Sequence, residues 1–184
     1  LYDRFSFTVL PGDMDIISTP FDFQGLNCYG RYVVFTDQNG NIGSRFDRYP
    51  RAMYDAVAKV RSYKPDIPIY ITENGTACPD VLTEDGHVHD NDRIAYLYDY
   101  LAEVYRAIQD GADIRGHYCW SLMDNFEWGA GYSMRFGLQY VDYPTQRRIF
   151  KDSACWYQRV IARGGLGAAD RPGETGEGTR YAAT

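Results

Sequence analysis

Apolar positions along this chain alternate between two rhythms. Short runs of β-forming residues, at 21–27, 67–72 and 114–121, are each followed by a longer stretch. In those stretches apolar residues recur three and four apart, the signature of one helix face. The first run, Phe21-Asp22-Phe23-Gln24-Gly25-Leu26-Asn27, gives way to a loop rich in Gly, Asn and Asp that reaches about Tyr49. Pro50 opens a helix, its fixed φ suiting the first turn, with Met53, Ala56, Val57 and Val60 on one face. Tyr63-Lys64-Pro65 ends it, because the residue before a proline is pushed out of helical backbone. The second run reads as a buried strand, followed by a long loop from Glu73 to about Val88. Asp90-Asn91-Asp92 offers helix-starting side chains, and Ile94, Leu97, Tyr98, Leu101, Val104, Tyr105 and Ile108 follow as an apolar face. Gly111 suits the helix end. After the third strand run, Lys151-Asp152-Ser153 opens a last helix through Trp156 and Val160.

Strands alternating with helices predict parallel βα units in an α/β fold. Three such units do not close an eight-stranded barrel, which typically needs about 250 residues. The chain, at 184 residues, therefore reads as part of something larger, with a small free-standing α/β domain as the alternative. The organised part is expected to be 1–162. From Arg163 the sequence is rich in Gly, Ala and charge without periodicity, so 163–184 is expected to be a disordered tail.

Net charge of −6 with no basic run sets nucleic acid aside as a partner. No apolar stretch approaches a membrane span and no leader pattern opens the chain. Cys28, Cys78, Cys119 and Cys155 are widely scattered and form no C-x-x-C pair, which fits reduced thiols in a cytoplasmic protein. His87 and His89 lack a third ligand nearby and read as a polar surface loop, so no metal is expected. Aromatic residues make up 16% of the chain, enough to supply flat apolar walls for a sugar as well as a core.

The candidate chemistry gathers where the strands end. Ile69-Tyr70-Ile71-Thr72-Glu73-Asn74-Gly75 is a buried strand delivering one carboxylate at its mouth. Parallel strands put Asn27 and Tyr29, Glu73 and Asn74, and the segment from Trp120 to Trp128 at one end of a sheet, where they can share a pocket. A nucleophilic carboxylate needs a neighbour that orients it, and the Tyr29 hydroxyl can donate that hydrogen bond. Glu127 can accept from sugar hydroxyls, with Trp120 and Trp128 as apolar walls.

At this point the motifs resemble those of family 1 glycoside hydrolases, the β-glucosidases and their relatives. The strand ending in Glu73-Asn74-Gly75 is similar to that family's nucleophile segment. Asp22-Phe23-Gln24-Gly25-Leu26-Asn27-Cys28-Tyr29 resembles its sixth-strand segment, and Trp120-Ser121-Leu122-Met123-Asp124-Asn125-Phe126-Glu127-Trp128 resembles the loop after its eighth strand. Arg135-Phe136-Gly137-Leu138, Val141-Asp142-Tyr143 and Lys151-Asp152-Ser153-Ala154-Cys155-Trp156-Tyr157 follow in family order, so the likeness covers about residues 10–162. Cys28 and Met134 depart from the residues usual at their places.

The resemblance implies a partial (β/α)8 TIM barrel, about its last three βα units plus the C-terminal helix. It implies a retaining β-glycosidase that hydrolyses unphosphorylated β-glycosides or oligosaccharides through a covalent glycosyl-enzyme, with no cofactor. Glu73 takes the role of nucleophile and Tyr29 orients it. Asn27, Trp120, Glu127, Trp128 and Phe136 take substrate-binding roles. The family's acid/base lies in an Asn-Glu-Pro segment, and no Asn-Glu-Pro occurs here. Turnover is therefore expected to need the remainder of the barrel, with this chain inactive alone. The competing expectation is a sugar-binding or assembly fragment without turnover.

Overall fold

The computed structural model describes residues 9–167, 170 and 171. A short helix, α1 (Asp13–Ile17), precedes β1 (Gln24–Asn27). Next come a hairpin of β2 (Arg31–Thr36) and β3 (Ile42–Asp47), helix α2 (Arg51–Tyr63), β4 (Ile69–Asn74), helix α3 (Asn91–Gln109) and β5 (Ile114–Cys119). The chain closes with a second hairpin, β6 (Gln139–Asp142) and β7 (Arg147–Phe150), and helix α4 (Asp152–Arg163).

Strands β1, β4 and β5 form one parallel sheet in the order β1-β4-β5. Successive parallel strands need a crossover, which the α2 segment supplies between β1 and β4 and α3 between β4 and β5. In the central strand, Ile69 and Ile71 are fully buried. They share the core with Met53 and Val57 of α2, Leu97 and Val104 of α3, and Trp156 and Val160 of α4. Among the described residues the sheet has three strands and does not close on itself.

Several elements differ from the sequence expectation, for physical reasons. The loop expected up to Tyr49 holds the β2–β3 hairpin, whose residues are mostly exposed on both faces and so carry no strand alternation. Its turn is built by Asp37, whose Oδ1 accepts from the backbone N–H of Asn39 at 2.8 Å and of Asn41 at 2.9 Å. Hairpin β6–β7 was likewise without a strand prediction. The second strand runs two residues further than expected, so Glu73 and Asn74 belong to β4 itself.

Helix α3 buries Ile94, Leu97 and Val104 as expected and packs Tyr98 and Leu101 on the core, but its inward face is wider and shifted. Tyr105 and Ile108 are exposed, while Arg93, Tyr96, Tyr100 and Ala107 are buried. These still obey helical spacing, but their polar atoms are buried only because partners await them. The expected tail also begins differently. Arg163 completes α4 and pairs with Asp170, whose carbonyl accepts from Trp156 Nε1 at 2.9 Å. The rest of the expected tail, 168–169 and 172–184, lies outside the described residues.

A buried cluster of three carboxylates and three cations locks the loops to the helices. The Arg93 guanidinium, on α3, pairs with Asp90 and forms a two-point contact with Asp80 at 2.7 and 3.1 Å. Lys151, just before α4, donates to Asp80 at 2.5 Å and to Asp124 at 2.8 Å. Arg135 donates to Asp124 at 2.5 Å. Asp90 also accepts from the backbone N–H and hydroxyl of Ser153 at 2.8 and 2.5 Å, joining α3 to α4. Removing one partner strands the others without water, which typically costs about 3–5 kcal/mol. Arg93→Ala is accordingly expected to lower the unfolding free energy by about that amount in a urea titration. Arg45→Ala, at an exposed surface pair, should change it by less than about 1 kcal/mol.

Candidate active site

The carboxyl ends of β1, β4 and β5 lie at the same end of the parallel sheet. Asn27 lies opposite Glu73 across the β1–β4 ladder, and Asn74 lies opposite Cys119 across the β4–β5 ladder. The register of β1 and β4 shifts between Leu26 and Asn27, and that of β4 and β5 shifts between Ile71 and Asn74. Such irregularities re-aim side chains at strand ends. Glu73 and Asn74, successive residues of β4, face opposite sides and meet separate partner sets.

Glu73 is half-buried, and its Oε2 accepts a hydrogen bond from the Tyr29 hydroxyl at 2.6 Å. Burial raises the Tyr29 pKa, and the hydrogen bond and charge of Glu73, then the charge of Glu127, raise it further. The phenol thus stays protonated and remains a donor. That Glu127 acts on the same phenol puts both carboxylates in one electrostatic neighbourhood. Phe136 meets the Tyr29 ring edge-on, with centroids 6.3 Å apart and planes at 87°. Trp120 Nε1 donates to Glu127 Oε2 across a long 3.5 Å.

Asn27 Oδ1 accepts from Thr72 Oγ1 at 2.7 Å, at an exposed position beside β4. Trp128 stands apart, its side chain 83% exposed on a backbone with φ of 42°. The structure thus brings together Tyr29, Glu73, Trp120, Glu127 and Phe136, sets Asn27 at the rim, and leaves Trp128 facing solvent.

The loop after β5 is held from inside. The Trp120–Ser121 peptide bond is cis. Asp124 accepts from the backbone N–H of Gly137 at 3.0 Å and of Val141 at 3.3 Å while paired with Lys151 and Arg135. Gly75 presses against this loop so closely that a Cβ there would sit 1.8 Å from the Trp120 carbonyl oxygen.

Asn74, expected to share a pocket with Glu73, instead joins a buried layer to which sequence reasoning assigned no role. Asn74 is fully buried; its Nδ2 donates to the Cys28 carbonyl at 2.7 Å and to Tyr96 Oη at 3.1 Å. Its Oδ1 faces His117 Nε2 at 3.2 Å, and the Tyr157 hydroxyl lies 2.9 Å from His117 Nδ1. Those partners assign the proton of a neutral His117 to Nε2. Burial pushes the His117 pKa down to about 4. A lone histidine in a strand carried no signal of these partners.

The model of the family described as Glycosyl hydrolase family 1 matches residues 37–166. The chain is 43% identical over 185 aligned positions to a bifunctional beta-D-glucosidase/beta-D-fucosidase of Bifidobacterium breve, covering 84% of this chain and 40% of that protein. It is 42% identical over 166 positions to beta-glucosidase A of Thermotoga maritima, covering 84% of this chain and 37% of that protein. A 6-phospho-beta-galactosidase of Leptotrichia buccalis is 47% identical over 113 positions, covering 61% of this chain and 24% of that protein. Among solved structures, the beta-glucosidase from Thermotoga maritima in complex with castanospermine matches with a TM-score of 0.79 at 42% identity, over 84% of this chain and 38% of that one. The chain spans about two-fifths of the length of the relatives with which it shares most of its sequence.

Two outcomes follow from the geometry. Gly75→Ala must displace either β4 or the Trp120 backbone, and overpacking of this kind typically costs about 1–3 kcal/mol. Thermal melts of the variant should show a loss at or above the upper end of that range. For His117, the unfolded chain takes up a proton near pH 6.5 that the folded chain refuses until about pH 4. Its contribution is therefore complete above pH 6.5 and is lost as pH falls toward 4, by up to about 3 kcal/mol. His117→Gln should remove that part of the slope when unfolding free energy is measured across this window.

Proposed function

The chain belongs to glycosyl hydrolase family 1, and on that footing we propose that it supplies the nucleophile side of a retaining β-glycosidase acting on unphosphorylated β-glycosides. The observation that carries this reading is the 2.6 Å hydrogen bond from Tyr29 to Glu73 at the shared mouth of three parallel strands. A carboxylate held by one oxygen keeps the other for attack. In the proposed reaction Glu73 Oε1 forms a bond to the anomeric carbon as the bond to the aglycone oxygen breaks. Water then hydrolyses the glycosyl ester, returning the carboxylate to Tyr29.

Protonation of the leaving oxygen needs a second carboxyl group about 5–5.5 Å from the first. Glu127 is assigned to the sugar hydroxyls instead, so we place the acid/base in the part of the fold that this chain does not span. Trp120 would form the floor under the sugar, with Phe136 and Trp128 as further walls and Asn27 reaching the hydroxyl beside the anomeric carbon. A negatively charged Glu127 in the sugar pocket disfavours a phosphorylated glycone through like-charge repulsion. The names of the relatives support a β-glycoside substrate without deciding which sugar is preferred, and the one named for a phosphorylated glycoside leaves the unphosphorylated reading to rest on Glu127.

The nucleophile can be trapped. A 2-deoxy-2-fluoro-β-glucoside with a dinitrophenolate leaving group needs no acid to depart, so it tests Glu73 alone. The protein carrying this chain is expected to release one dinitrophenolate per site and to yield a glycosylated peptide containing Glu73. Glu73→Gln should lower turnover of aryl glucosides by at least about a thousandfold. A label on another residue would overturn the assignment. No label at all would favour a sugar-binding fragment.

A further inference from the structure

We infer that Tyr96 and Tyr100, on α3, are positioning residues that set the Tyr29 phenol against Glu73 by gripping the Tyr29 backbone carbonyl. This deepens the glycosidase reading and rests on it for its catalytic consequence, though not for its geometry. The need for such a grip is visible in the sheet. The backbone N–H of Cys28 donates to the Glu73 carbonyl at 2.9 Å, the last ladder bond of this edge. Beyond it the chain leaves the sheet, and Tyr29 has no strand to fix its position.

Two phenols supply what the ladder does not. Tyr96 Oη donates to the Tyr29 carbonyl oxygen at 2.7 Å, and Tyr100 Oη donates to the same oxygen at 2.8 Å. A carbonyl oxygen has two lone pairs, and both are used. The tyrosines are 2% and 0% exposed, with rings stacked at 4.2 Å. Each hydroxyl is also an acceptor: Tyr96 from Asn74 Nδ2 at 3.1 Å, and Tyr100 from the Tyr49 backbone N–H at 3.1 Å. Burial raises both phenol pKa values, that of Tyr100 to about 12, so both stay protonated and donating.

The bonds close a ring. Glu73 accepts from the Tyr29 side chain, the Tyr29 carbonyl accepts from Tyr96, Tyr96 accepts from Asn74, and Asn74 is covalently next to Glu73. Both partners of the 2.6 Å bond are thereby held by one helix side chain. A purely apolar role for the pair would be served equally by phenylalanine, which fills nearly the same volume. Only the hydroxyls reach the carbonyl, so their deletion tests the inference with little change in packing.

The test uses Tyr96→Phe and Tyr100→Phe in the protein carrying this chain, with exposed Tyr105→Phe as control. Tyrosine labelled with ¹³C at Cζ gives a Tyr29 resonance, assigned as the one lost in Tyr29→Phe. In Tyr96→Phe this resonance should shift, reporting a changed phenol hydrogen bond, and in Tyr105→Phe it should stay. The maximal rate of labelling by the 2-fluoro glucoside should fall by about ten- to a hundredfold, with half-saturation nearly unchanged. In a Tyr29→Phe background the same substitution should cost little more, because its effect passes through the phenol. A fixed Tyr29 resonance, or a full additive loss in the double variant, would overturn the inference. Failure of the parent protein to label Glu73 would count against the glycosidase reading, and the resonance would still decide the grip. Should Tyr96→Phe fail to fold, Tyr100→Phe is held to the same outcomes.

Discussion

The arrangement depends on charge buried where water cannot reach it. Asp80, Asp90 and Asp124 face Arg93, Arg135 and Lys151, and the balance of three against three is what makes the burial tolerable. An unpaired ion there would carry a penalty of several kcal/mol. The pairs also span the chain: Asp80 belongs to the loop after β4, Asp124 and Arg135 to the loop after β5, and Arg93 and Lys151 to the α3 and α4 region. Those two loops follow the strand ends at which Glu73 sits. A sheet of three strands has little surface with which to restrain such long loops, and electrostatic pairing does it from beneath.

Above that base, the hydrogen-bonded layer of Asn74, Tyr96, Tyr100 and His117 converts helix position into side-chain position. Its members are satisfied almost completely, which is the condition under which a buried polar network specifies one conformation rather than several. Glycine contributes by absence: at Gly75 the two loops approach to a distance that no Cβ permits. Ionic pairing, hydrogen bonding and close backbone contact thus act on the same few ångströms around one carboxylate.

Much of this was legible in local sequence, and some was not. The strand–helix alternation and the position of Glu73 at a strand mouth follow from periodicity within a dozen residues. Tyr29 as the donor to Glu73 follows from parallel order plus chemistry. Hairpin β2–β3 escaped because its mostly exposed strands impose no alternation of apolar and polar positions, and β6–β7 because strands of four residues are too short to show one. The apolar part of the inward face of α3 was legible, but Tyr96 and Tyr100 escaped because the carbonyl oxygen that satisfies their hydroxyls lies more than sixty residues earlier in the chain. Charged residues such as Arg93 and Lys151 default to solvent in any reading of composition, and only the folded pairing shows them inside.

The three tryptophans sit at three depths. Trp156 is buried against the core and tied to Asp170, Trp120 lies half-covered just past the end of β5, and Trp128 projects into water. Water relaxes the excited dipole of an exposed indole and shifts its emission to the red, whereas a dry one emits toward the blue. The intrinsic fluorescence of this molecule is therefore a sum of separable reporters. Loss of the core moves the bluest component, while changes confined to the loop after β5 reach only the other two.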